Sequence, residues 1–372
     1  MNADRRLIQK LMETIHNRPE RTISFREYME ICLYDPEFGY YMKEKDRIGR
    51  DGDFYTSASI GGVMGEVVAR YIADTVKLWG VHKPCSLVEW GGGTGALALQ
   101  ILDELKRSFA DVFESLAYIS IEVSPAHRAV QADKLREHTN RIRWMTSEQW
   151  LLQGSWERVI VLSNELLDAF PVHLVQMRGG RPYEGRVGWD DAAGWFAVSF
   201  PEEAEPAVRE YVEAWGAGLE EGQRLEVNLA AAGWLQTVGA AIQSGEVLTI
   251  DYGDRAEELY APHRFQGTLM CYEKHRAQSD PFQHPGNQDI TSHVNFSSLI
   301  RAGEAAGFET KAYTTQKQFL VDNGILQLLQ DTLLSDPFSP AARRNRAIRQ
   351  LLLSDQMSEL FKVLIQKKGE LR

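Results

Sequence analysis

The sequence predicts an α/β fold: a mostly parallel, helix-covered sheet, with helical additions at both ends and an antiparallel insertion. Three observations carry this. Short apolar runs alternate with amphipathic helical stretches between residues 86 and 163. The first of these runs leads through Glu89-Trp90-Gly91-Gly92-Gly93-Thr94-Gly95 directly into a helix. After a stretch of different character, Glu246-Val247-Leu248-Thr249-Ile250-Asp251-Tyr252-Gly253 returns as another buried strand.

Taken in order, Leu7, Ile8, Leu11, Met12 and Ile15 recur at helical spacing, and Ser24 is a fitting N-cap for a second helix beginning Phe25-Arg26-Glu27. The loop-like stretch from Tyr34 to Ser57 is rich in glycine, aspartate and aromatic residues and holds neither period. Val63, Val67, Val68, Tyr71, Ile72 and Val76 then mark an amphipathic helix. The sheet elements are strand 86–90, helix 96–107, strand 118–123, helix 126–135, strand 142–145 and strand 158–163. Between 172 and 202, apolar runs joined at glycines suggest an antiparallel meander. Residues 206–243 read as helical around a short 225–229 segment, 297–308 as a helix closing at Gly307, and 341–368 as a basic amphipathic helical region. A chain of 372 residues exceeds what one core usually organises. The expected division is a helical N-terminal lobe with a covering loop (1–80), a Rossmann-like core (81–171 and 245–320), an inserted antiparallel and helical substrate region (172–244) and a C-terminal helical annex (321–372).

Composition narrows the function classes. The chain is 44% hydrophobic and 25% charged, with 9 Trp, 13 Tyr and 15 Phe, enough aromatic material for both a core and a pocket. A formal net charge of −11 argues against nucleic acid as a partner, because phosphate binding needs cations. Cys32, Cys85 and Cys271 lie far apart, in neither a disulfide nor a zinc pattern, so no metal is assigned and a reducing compartment fits. No run of about 18 apolar residues is present, and Met1-Asn2-Ala3-Asp4-Arg5-Arg6 lacks a signal-peptide core. The expectation is a cytoplasmic protein with no membrane span.

The chemistry concentrates at strand ends. Glycine at positions 91, 93 and 95 lets the backbone turn sharply and approach a ligand, and the helix that follows favours a carboxylate or phosphate at its N-terminus. Glu122, at the end of the next strand, can accept hydrogen bonds from both ribose hydroxyls of an adenosine. S-adenosylmethionine and NAD both use such a pair. Glu89 before the glycines favours the former, since a carboxylate suits a cationic methionine moiety and repels a pyrophosphate. Asn164, Glu165 and Asp168, at the end of a later strand, lie where open α/β sheets bind ligands, although they also fit a helix start. Trp90 either packs on an adenine or fills core.

Ordered blocks along the chain resemble the MidA-like S-adenosylmethionine-dependent methyltransferases. They are Tyr34-Asp35-Pro36-Glu37-Phe38-Gly39-Tyr40-Tyr41, Gly52-Asp53-Phe54-Tyr55-Thr56-Ser57, Glu89 to Gly95, Ile121-Glu122-Val123-Ser124-Pro125, Ser163-Asn164-Glu165-Leu166-Leu167-Asp168-Ala169-Phe170-Pro171-Val172, Ile250-Asp251-Tyr252-Gly253, and Pro285 to Phe296. Trp90 and Gly61-Gly62 depart from the family pattern. The resemblance implies a Rossmann-like class I methyltransferase core and S-adenosylmethionine as cofactor. Glu89, Gly91, Gly93, Gly95 and Glu122 are the expected cofactor-binding residues, with Asp53 and Thr56 in a loop that closes over the cofactor. Mitochondrial family members are arginine methyltransferases needed for respiratory complex I assembly. The resemblance therefore implies a protein substrate, an arginine on a respiratory-complex subunit being one form, with Asn164, Glu165 and Asp168 as the catalytic edge. Two rival readings stay open: a partner-binding assembly factor that keeps the cofactor site without turnover, and an NAD-dependent oxidoreductase. Oligomeric state is not specified by the sequence.

Overall fold

The computed structural model describes residues 3–43, 60–274, 276–331, 336, 338–354 and 358–370. At its centre lies an eight-stranded sheet in the order Glu309–Thr315, Phe361–Lys368, Gly245–Asp254, Val159–Asn164, Cys85–Trp90, Leu116–Ile121, Ile142–Met145, with Val294–Asn295 pairing at the end of Gly245–Asp254. The strands from Gly245–Asp254 to Ile142–Met145 are parallel, and Phe361–Lys368 runs antiparallel to both of its neighbours. Parallel strands need both faces covered. Their side chains alternate accordingly: Leu87, Ile160, Leu162, Leu248 and Ile250 pack on one face with Val63–Trp79 and Ala96–Ser108. Val88, Val159, Val161 and Val247 pack on the other with Leu229–Ala241 and Phe296–Ala305. Each such buried Leu, Ile or Val stabilises the fold by roughly 1.5–3 kcal/mol.

The reading of 341–368 as helical holds for Pro340–Leu353 and fails at Phe361–Lys368, which is a sheet strand. An apolar run of this length suits either state, and its partners decide. Phe361, Val363 and Ile365 enter one core and Leu364 the other. Neighbouring Glu309–Thr315 gave no strand signal because it is polar, half-exposed and interrupted by a register shift between Thr310 and Ala312.

The insertion is not one meander. His173–Arg178 pairs with Arg181–Glu184 and with Arg224–Val227, whereas Arg186–Asp190 pairs with Trp195–Ser199 and with Thr22–Ser24 near the N-terminus. Such long-range pairing leaves no local pattern. Its consequence is a shared core in which Leu7, Leu11, Tyr28 and Leu33 of the N-terminal helices pack with Val172, Val187, Phe196, Cys271 and Ile290. Ser24 caps the second helix as expected, accepting the Glu27 N–H at 3.1 Å. Tyr34 ends that helix and Tyr40 and Tyr41 follow it, and the Tyr34 hydroxyl reaches Ala169 O, just beyond the carboxyl end of the strand Val159–Asn164. Among the described residues, no helix is long and apolar enough to cross a membrane.

Candidate active site

The glycine loop is the first feature at that end. Gly91, Gly93 and Gly95 have φ of +71°, +52° and +72°, the left-handed region that glycine enters without strain. A Cβ on Gly91 would also lie 2.6 Å from Leu166 Cδ1, so the loop and the segment after Asn164 are in close contact. Gly91 N–H donates to Ile121 O at 2.8 Å. Gln131 buttresses the loop: its Nε2 donates to Gly93 O at 2.8 Å, while its Oε1 accepts from Ser120 Oγ at 2.7 Å and Trp144 Nε1 at 3.1 Å. Lys134 Nζ donates to Thr94 Oγ1 at 3.2 Å.

The two acids of this region do different things. Glu122 accepts the Gly93 N–H on Oε2 at 3.0 Å and the Ser124 N–H on Oε1 at 2.9 Å, which fixes its carboxylate beside the loop. Each oxygen keeps a second lone pair for a ligand donor. Glu89 instead turns beneath the loop, where it accepts from the Tyr118 hydroxyl. Burial pushes the Glu89 carboxyl up to about 7 against the stabilising Tyr118 bond, and nearby Glu122 adds to the rise.

The second feature is an acidic edge. Asn164 ends its strand, and its Nδ2 donates to Glu165 Oε1 at 3.1 Å. Glu165 sits at φ +52°, uncommon for a residue with a side chain, and its N–H is held by Ile250 O at 2.9 Å. Asp251 organises the following turn by accepting Leu166 N–H at 3.2 Å and Leu167 N–H at 2.8 Å on Oδ2, and Tyr252 N–H at 2.9 Å on Oδ1. Burial raises Asp251 to about 7 in spite of those bonds. Asp168 is only 4% exposed and its Oδ1 has no hydrogen-bond partner. Burial, followed by the charges of Asp251, Asp289 and Glu165, holds its carboxyl well above the usual carboxylate range.

Tyrosines from the N-terminal lobe stand beside the acidic edge. Tyr41 donates to Asp289 Oδ1 at 2.7 Å, Tyr34 donates to Ala169 O at 3.0 Å, and the two rings stack at 5.5 Å. The Tyr34 hydroxyl, raised well above its ordinary value by burial, also feels Asp289, Asp168 and Glu122. The glycine-loop acid and the acidic edge therefore both act on Tyr34. A cluster of buried carboxylates suits a cation.

A family model for S-adenosyl-L-methionine-dependent methyltransferases, Methyltransf_28, matches residues 67–314. The chain belongs to that family. A COG1565 superfamily member from Burkholderia thailandensis, crystallised with S-adenosylhomocysteine, has 33% sequence identity and a TM-score of 0.87, covering 99% of this chain and 93% of that one. A native crystal structure from the same organism gives 33% identity and a TM-score of 0.84, covering 99% and 92%. Among curated proteins, the Drosophila melanogaster homologue of the mitochondrial protein arginine methyltransferase NDUFAF7 is 28% identical over 77% of this chain and 67% of its own length. The Xenopus tropicalis protein of that name is 27% identical over 91% and 81%. This methyltransferase thus has the Rossmann-like core expected of it, with S-adenosylmethionine as its cofactor.

In this S-adenosylmethionine-dependent methyltransferase, Gly91, Gly93, Gly95 and Glu122 come together at the loop, with Glu89 beneath them. Asn164, Glu165 and Asp168 meet at the acidic edge. Asp53 and Thr56 lie outside the described residues. Trp90 fills core, 8% exposed and in T-shaped contact with Trp150 and Trp234 at 5.4 and 5.7 Å. Asn295 is a helix cap, accepting Ser298 N–H at 3.1 Å. Sequence reasoning missed Asp251, Tyr41 and Gln131. Asp251 carried a signal, an acid at the end of an apolar strand just as in Ile121-Glu122; Gln131 carried none, being one polar residue in an ordinary amphipathic helix.

Proposed function

We propose that this methyltransferase transfers the methyl group of S-adenosylmethionine to an arginine guanidinium nitrogen of a partner protein. The observation that carries the reading is the buried, partnerless Oδ1 of Asp168 beside Glu165, in an acidic cluster that also acts on Tyr34 and Tyr41. A guanidinium is a permanent cation with N–H donors spaced for carboxylates, so it supplies both the charge and the hydrogen bonds that this edge lacks. The arginine methyltransferase names of relatives at 26–28% identity point the same way.

For the cofactor, we assign Gly91, Gly93 and Gly95 to close backbone approach, and the free acceptor capacity of Glu122 to the ribose hydroxyls. Glu89 supports the loop from below. Bound S-adenosylmethionine supplies an electrophilic methyl carbon on a sulfonium. Glu165 and Asp168 hold guanidinium N–H groups and localise positive charge on those nitrogens, which leaves lone-pair density on the third. Asn164 fixes Glu165 through its 3.1 Å hydrogen bond. Tyr34 and Tyr41 exclude water from the space between the two ends. The proton shed by the methylated nitrogen passes to Asp168 Oδ1.

The test is to supply methyl-labelled S-adenosylmethionine with cell extract and to hydrolyse the labelled proteins. Label recovered as methylarginine supports the reading. Label confined to lysine or to carboxyl esters overturns it.

A further inference from the structure

We propose that Asp289 is a second carboxylate of the acceptor clamp, so that an arginine side chain is gripped from the sheet edge by Asp168 and from the small outer sheet by Asp289. This inference rests on the arginine reading above. Asp289 begins the strand Asp289–Thr291, which pairs with Met270–Glu273 so that Asp289 sits opposite Tyr272. It is only 3% exposed, and Tyr41 fixes its Oδ1 by the 2.7 Å hydrogen bond. That strand is tied to the sheet edge by the Ser292 N–H, which donates to Asp168 O at 3.0 Å. Asp289 is among the charges acting on Asp168, on Tyr34, on Tyr41 and on Tyr272, so the two acids and these tyrosines are electrostatic neighbours.

Two buried polar atoms of the residues joined in this way point independently to a ligand. Asp168 Oδ1 and Ser292 Oγ both lack hydrogen-bond partners, with their residues 4% and 1% exposed. Burying such atoms unpaired costs about 1–3 kcal/mol each, more for a charge, which a bound donor relieves. Among the described residues no three His, Cys, Asp or Glu side chains converge closely enough to hold a metal ion. Carboxylates carried on separate elements suit a flat, multi-donor cation. Asp168 and Asp289 belong to different layers of the fold, and two acids in different directions discriminate a planar guanidinium from a compact ammonium. Tyr41 is then a positioning residue that acts through Asp289.

The experiment uses the full chain saturated with S-adenosylhomocysteine, titrated calorimetrically with N-acetyl-arginine amide and with N-acetyl-lysine amide. The parent takes the arginine compound in preference to the lysine one. Asp289→Asn weakens arginine binding by about tenfold, the scale of one charge-assisted hydrogen bond, with S-adenosylhomocysteine affinity within about twofold of the parent. Tyr41→Phe lowers the arginine-to-lysine preference, a ratio that simple loss of packing does not move. Asp289→Ser, which keeps a polar partner for Tyr41, repeats the measurement should the amide variant fold poorly. Unchanged arginine binding in the Asp289 variants, alongside loss in Asp168→Asn, overturns this inference and leaves the arginine reading intact. A parent that binds neither compound overturns both. Loss of S-adenosylhomocysteine binding in the folded Asp289 variants assigns this acid to the cofactor and overturns the clamp.

Discussion

The glycine-loop end and the acidic edge lie on the same side of one sheet, yet they are built on opposite plans. Around the loop the buried polar groups answer one another: Glu122 meets two backbone N–H groups, Gln131 meets three partners, and Glu89 has Tyr118. At the edge, Asp168 and Asn164 each keep a buried oxygen without a donor, and several carboxylates crowd together. Self-satisfied polar networks are rigid and pre-shaped, whereas unsatisfied ones carry a cost that a ligand removes. The loop's polar groups are thus already satisfied, and under the proposed function the last component of the edge is a cation.

The largest expected effect breaks the edge. Asp168→Asn keeps the shape and removes the charge, so methyl transfer in a steady-state assay falls by roughly 10²–10³-fold, the scale seen when one transition-state contact is removed. Thermal stability of that variant holds or rises, because a buried repulsion disappears. Near-parental turnover would mean that the edge is not the acceptor site.

A second effect sharpens the loop side. Glu89 has a folded value near 7 against an ordinary 4.5, so the folded state holds its proton more tightly than the unfolded state does. The stability linked to this proton is complete below pH about 4.5 and is lost as pH rises through about 7. Glu89→Gln removes the dependence. In chemical denaturation, the parent should lose stability relative to this variant between those limits by on the order of 3 kcal/mol. Parallel pH curves for the two proteins would show that Glu89 carries no such linkage.

The smallest effect concerns Trp90. Because it packs edge-on to Trp150 and Trp234, Trp90→Phe should lower stability by about 1–3 kcal/mol and leave cofactor affinity unchanged. A selective loss of S-adenosylmethionine affinity would return Trp90 to the cofactor.

The same comparison bears on what a sequence reveals. The loop was legible because its residues are contiguous: a strand, three glycines at alternate positions, a helix, then an acid one strand later. Asn164 to Asp168 were legible for the same reason. The other half of the edge was legible only as separate blocks of the family resemblance, since Tyr41 and Asp289 meet through pairing of the N-terminal segment with the insertion and through the strand Asp289–Thr291, and Asp251 arrives by the pairing of Gly245–Asp254 with Val159–Asn164. Phe361–Lys368 was misread because a short apolar run has no state of its own until its neighbours are known. Local chemistry left local signals; chemistry assembled by topology left almost none.

The most direct test of the two-plan account is calorimetric titration of S-adenosylhomocysteine into the parent, Glu122→Ala and Asp168→Asn. The account predicts that Glu122→Ala loses about 10- to 100-fold in affinity, as expected for hydrogen bonds to a charged group, while Asp168→Asn stays within about twofold of the parent. Affinity retained in Glu122→Ala, or lost in Asp168→Asn, would contradict the division of the cleft into a finished cofactor receptor and a separate cation site.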